Sequence, residues 1–129
     1  MVEGKREVME FVNEFEGVLQ EMNRQGGFER SVLATDQGLP VATYPRPGEG
    51  EAATALVALL GQVSAQIRDE LQMAPVDEVT IRANDREHLV CRRVDLGDDY
   101  VILGVLVPPG TAYRRLTNRA VQQVQELVL

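Results

Sequence analysis

From about Lys5 to Arg24 apolar residues recur every three or four positions: Val8, Phe11, Phe15, Val18, Leu19 and Met22 share one face, with Glu7, Glu10, Glu14 and Glu21 elsewhere around the turn. This spacing predicts an amphipathic helix that stops at Gly26-Gly27. From Phe28 the period changes, and SVLA, TDQG and LPVA predict a β-hairpin whose loop turns at Gly38, a residue free to take positive φ. Tyr44 to Gly50 reads YPRPGEG and suits neither a ladder nor a helix interior, so a surface loop is expected there. A long helix then spans about Glu51 to Met73 and is closed by Pro75; Ala53, Leu56, Leu60, Val63, Ile67 and Leu71 form its expected core face. Three strand patterns follow, EVTIRA at 78–83, HLVCRRV at 88–94 and YVILGVLV at 100–107, joined by the short polar turns NDRE and LGDD. Beyond Pro108-Pro109-Gly110, Thr111 is placed to cap a last helix in which Tyr113, Leu116, Ala120, Val124 and Leu127 share a face.

The order α-β-β-α-β-β-β-α predicts an α/β (α+β) domain: a three-layer sandwich of one five-stranded antiparallel sheet with helices on both faces. Strand 5, at 100–107, is apolar on both pleat faces, as a central strand covered on each side must be. Joining the hairpin and the meander through strands 1 and 5 gives the order 2-1-5-4-3. Pro40 then sits on edge strand 2, where it is tolerated. Strand 3 alternates Val79, Ile81 and Ala83 with Glu78, Thr80 and Arg82 and is an unblocked edge.

At 129 residues a single domain, 1–129, with one core is expected, and 44% apolar with 26% charged residues is ordinary globular composition. The net charge of −7 argues against nucleic acid and anionic membranes, which select clustered basic surfaces. Cys91, the single cysteine, has no internal disulfide partner, the first residues lack a secretion signal, and the apolar runs fall short of the roughly 20 residues of a membrane span. A soluble, cytoplasmic protein is expected.

Candidate chemistry is thin. Gly48 to Ala53 matches the letters of a G-x-G-x-x-A dinucleotide fingerprint, yet Glu49 and Glu51 would face the pyrophosphate and the preceding strand belongs to a hairpin. No G-x-x-x-x-G-K-[ST] loop occurs, so the chain is not expected to be a GTPase. His88 and Cys91 lie three apart on a strand and point to opposite faces, with Cys91 expected as a small buried thiol and His88 as a wet surface residue. Asp95, Asp98 and Asp99 coincide with a turn. Arg114, Arg115 and Arg119 oppose the dipole at the start of the last helix and read as a solvated face or a docking patch for an acidic partner. No catalytic group, cofactor or metal site is expected.

The hairpin RSVLATDQGLPVA and the segment LGDDYVILGVLVPPGTAYRRLTNRAV, in this element order, resemble the Roadblock family, the domain of dynein Roadblock light chains and of the gliding-motility regulator MglB. The resemblance covers nearly the whole chain. It implies a profilin-like fold and a non-enzymatic homodimer or heterodimer, with sheets joined edge to edge through strand 3 and long middle helices side by side, presented to a small Ras-like GTPase. On the long helix Thr54, Ala58, Gly61 and Ala65 form a line of small residues at i, i+4, i+7 and i+11, opposite the expected core stripe. The expected dimer interface is therefore Ala58, Gly61 and Ala65 with Val79, Thr80, Ile81 and Arg82. The expected partner surface is Thr54, Ala58, Gln62, Ala65, Arg68 and Asp69. A small-ligand sensor of profilin or GAF-like type is weakened by the low aromatic content, and a motor-associated light chain is the other alternative.

Overall fold

A computed structural model describes residues 8–45 and 51–129. Its elements are α1 (Val12–Gly26), β1 (Arg30–Thr35), β2 (Pro40–Tyr44), α2 (Glu51–Leu71), β3 (Glu78–Arg82), β4 (His88–Leu96), β5 (Asp99–Val107) and α3 (Arg114–Val128). The start expected for the first helix, 5–7, and most of the expected loop, 46–50, lie outside the described residues.

The five strands form one antiparallel sheet in the order β2-β1-β5-β4-β3. The central strand, β5, pairs with β1 from Arg30↔Leu106 to Thr35↔Val101 and with β4 from His88↔Val107 to Leu96↔Asp99. Its apolar pleat faces look two ways: Val101, Leu103, Val105 and Val107 enter a large core with α1 and α3, and Ile102 enters a smaller one under α2. The helices are thus divided two to one across the sheet.

The larger core takes Phe15, Leu19 and Met22 from α1 and Ala120 and Val124 from α3, packed on Leu33, Val90 and Val94. Gly27, at φ 67°, ends α1 in the left-handed conformation, with its N–H donating to the Asn23 carbonyl. Gly38, at φ 87°, turns the hairpin, and Pro40 opens β2 on the sheet edge. The last helix begins later than expected. Thr111 is not its cap; Tyr113 holds that position and its side chain makes no capping hydrogen bond.

Candidate functional site

Small side chains let α2 lie close on the sheet. Thr54, Val57 and Ala58 are buried, Ala58 to 1% exposure. A Cβ on Gly61 would collide with Ile102 Cδ1, and one on Gly104 of β5 would come within 2.7 Å of Val57. The surface this small stripe meets is therefore the chain's own sheet. The expected faces of the helix are reversed: Ala53, Leu56, Val63, Ile67 and Leu71 are exposed, and Leu60 alone of the expected core stripe is half-buried. The sheet beneath already supplies bulky Val32 and Ile102, so a close-lying helix inserts Val57 over Gly104, keeps its other inward groups small and turns its larger ones away. Thr54 and Ala58 cannot meet a partner; Gly61, Ala65 and Arg68 are half-buried, whereas Gln62 and Asp69 are exposed.

The outward stripe has a direction. Leu60 packs against the smaller core, and Gly61, Ser64 and Arg68 line a crevice with Val76 and Val79, which makes this side of the helix the flank toward β3. Gln62 Nε2 donates to the Asp36 carbonyl at 3.1 Å, on the flank toward the β1–β2 turn. Leu56, Val63, Ile67 and Leu71 all lie within about 60° of Leu60 around the helix. Leu56 is 59% and Leu71 67% exposed, an apolar surface facing outward and toward β3.

Among the described residues β3 pairs only with β4, so its outer side is free. Val79 and Ile81, opposite Cys91 and Leu89, lie on the α2 face of the sheet, and Ile81 is 48% exposed. Glu78, Thr80 and Arg82 occupy the other face. There burial pushes the Glu78 carboxyl up, but hydrogen bonds from Thr80 Oγ1 at 2.7 Å and Tyr113 Oη at 2.9 Å, with Arg114 and Arg92 nearby, outweigh it and hold the group below the usual carboxylate range. Arg92 Nη1 donates to Thr117 Oγ1 at 3.0 Å and Asn118 Oδ1 at 2.7 Å, tying β4 to α3. This network anchors the open edge to the last helix.

At the N-terminal end of α2 a groove of about 410 Å³ opens over the sheet, lined by Val32, Val57, Leu89, Gly104 and Leu106 with Arg30 at its mouth. The other candidates stay apart. Burial pushes the Cys91 thiol up to about 11, which leaves it unreactive. His88 is half-buried rather than wet, with its Nδ1 buried and unbonded and its ring 6.4 Å from that of Tyr113. Asp95 accepts from Arg93 Nε at 2.7 Å, and Asp99 Oδ1 accepts from the Tyr100 N–H. The side chains of Arg114, Arg115 and Arg119 line the exposed face of α3.

By sequence, no protein-family model and no curated protein matches the chain. By structure it is similar to MglB of Myxococcus xanthus, with a TM-score of 0.78 over 90% of this chain and 88% of that one at 11% identity. The gliding protein MglB of Thermus thermophilus gives 0.74 over 94% and 90% at 17% identity. A Roadblock/LC7 domain of Streptomyces avermitilis gives 0.73 over 87% and 92% at 15% identity. This chain has a Roadblock-domain fold. The five-stranded order, the two helices on one face and the lone α2 on the other are thus features of the Roadblock fold in this chain.

Proposed function

We propose that this Roadblock domain is a non-catalytic cytoplasmic regulator that pairs with itself through β3 and the outer face of α2 and docks a small Ras-like GTPase across the paired helices. The exposed apolar stripe from Leu56 to Leu71, together with the exposed Ile81 on the free edge of β3, carries the reading. Each such side chain gains roughly 1.5–3 kcal/mol when fully buried, so a stripe of this kind is stabilised by a covering surface. Arg82 and Thr80 lie on the opposite sheet face and would join the dimer through backbone bonds of β3. Likeness to the MglB structures supports a regulatory partner.

Once Thr54 and Ala58 are assigned to the sheet, Gln62 and Asp69 remain for that partner on the exposed flank toward the β1–β2 turn, and half-buried Ala65 and Arg68 remain at the crevice beside β3. Arg68 is half-buried and lines a crevice with Val76 and Asp77. Any acceleration of hydrolysis would therefore come from positioning the GTPase's own groups rather than from an inserted arginine. A regulator of this kind acts by binding one nucleotide state more tightly than the other. Titration of the domain against a small GTPase encoded beside its gene, loaded with GDP or a non-hydrolysable GTP analogue, tests this: unequal affinities are expected, and binding to neither form removes the GTPase from the proposal.

A further inference from the structure

The outer face of α3 carries Arg114, Arg115, Asn118, Arg119 and Gln122, all exposed, on the side of the sheet away from α2. Water is enough to keep such a face folded, but these arginines act against their own helix. They stand in its first two turns, where the dipole disfavours cations, and Arg115 and Arg119 are like charges at i and i+4. The chain holds 20 acidic residues against 13 basic ones, yet among the described residues none of the three arginines has an ion pair. The Glu78 carboxyl is taken by Thr80 and Tyr113, and Arg114 acts on it only at a distance.

The amide among them is set to donate as well. Arg92 Nη1 donates to Asn118 Oδ1 at 2.7 Å, and since only the oxygen of an amide accepts, Asn118 Nδ2 is left with no partner among the described residues. Arg92, its side chain 15% exposed, is itself held by Thr117 Oγ1 and by Glu78. The face thus presents three guanidinium groups and an amide donor, and its complement is a group that only accepts, a carboxylate or a phosphate. From Arg114 to Gln122 it runs about 12 Å along the helix, longer than one such group, with Arg115 and Arg119 about 6 Å apart. The net charge of −7 opposes an extended polyanion or an anionic membrane, whereas a short acidic protein segment meets only the local patch. We propose that the outer face of α3 docks an acidic segment of a partner protein, with carboxylates one helical turn apart seated on Arg115 and Arg119, and with Arg114 and Asn118 as further donors. This surface lies across the sheet from the helix offered to a GTPase, so one domain holds two partners on opposite faces.

The probe is a fluorescein-labelled alanine helix with glutamates at one-turn spacing, and the same peptide with glutamine in their place is its control. Fluorescence anisotropy with the full chain should show binding of the glutamate peptide that weakens as salt rises, and no binding of the glutamine peptide. Arg115→Glu with Arg119→Glu should weaken binding about tenfold or more while the circular dichroism spectrum stays native, and Arg115→Lys with Arg119→Lys should keep most of it. Arg30→Glu, the same charge change at an exposed position two residues from Val32 on the α2 side of β1, should leave the affinity within about twofold of the native chain. A glutamate peptide that does not bind overturns the proposal, and so does an equal loss with Arg30→Glu, which would show attraction to overall charge and not to this face. Phosphatidylserine vesicles and a single-stranded oligonucleotide form separate arms. Binding of either one that the Arg115 and Arg119 reversal removes, without binding of the peptide, assigns the face to phosphate and overturns the acidic-protein reading. No arm of the experiment depends on a GTPase, so its result stands apart from the docking proposed for α2.

Discussion

Two amphipathic helices cover opposite faces of the same sheet and spend their bulk in opposite directions. In α3 the inward side holds Ala120 and Val124, and the outward side is Arg115, Asn118, Arg119 and Gln122. In α2 the inward side is Thr54, Ala58 and Gly61, and the outward side is Leu56, Val63, Ile67 and Leu71. Water is a sufficient neighbour for the outer face of α3. The outer face of α2 has the composition of an interior, so amphipathicity alone does not tell which face of a helix belongs to its own chain.

The contrast is broken most severely beneath α2. Val105→Asp places a charge at a fully buried position of β5, costing several kcal/mol against a total stability of about 5–15, and should abolish cooperative unfolding in a urea titration. Ala58→Glu should also unfold the chain, because the side chain would have to enter the contact with the sheet. A folded, soluble Ala58→Glu protein would return the small stripe to the surface. Next in size, Val63→Glu and Ile67→Glu should keep a native circular dichroism spectrum yet lower the mass seen by light scattering at micromolar concentration from twice 14.3 kDa to that of one chain. Arg119→Glu and Gln122→Glu, the matching changes on α3, should alter neither signal. Tyr113→Phe removes the bond to Glu78 and should lower stability by about 1 kcal/mol, read as a shift in the urea midpoint.

The smallest effect is titration of the open edge. Because the Glu78 carboxyl is held below its ordinary range, its contribution is fully present above the unfolded value near 4 and is lost as pH falls through the lower folded value. The urea midpoint should fall with acid in the native chain, and Glu78→Gln should flatten that part of the profile. An unchanged slope would show that the network around Arg92 does not depend on the carboxylate charge.

Most of the architecture was legible because it is written in local periods. Helix period, strand alternation, Gly38 at the turn, Pro40 at an edge and the double-faced strand 100–107 sufficed for the observed strand order. What failed was the orientation of α2, since the period of its large residues identifies a face without saying what lies opposite. A usable signal was present in Gly61 and Gly104. A glycine inside a helix or a strand costs roughly 0.5–1 kcal/mol, and both positions make sense where two backbones approach closely. The Thr111 cap failed for another reason: residues 111–113 run on as irregular chain, and Tyr113 takes the capping position while its hydroxyl bonds Glu78. The candidate surface was half legible: the free edge at Val79–Arg82 is where it was expected, but the helix residues beside it are the ones first assigned to the core.

The division of helices two to one across the sheet has a dynamic consequence. α1 and α3 share a large core and brace each other, whereas α2 rests alone on a small one centred on Val32, Val57, Cys91 and Ile102. Segments with few buried apolar contacts open at lower free energy than the whole molecule, so in a solitary chain α2 is the unit expected to breathe first. A covering surface that binds only the docked helix suppresses that opening by mass action. Amide protons of α2 should therefore exchange faster on dilution while those of β5 keep their rate, and the order of this helix becomes a readout of its company.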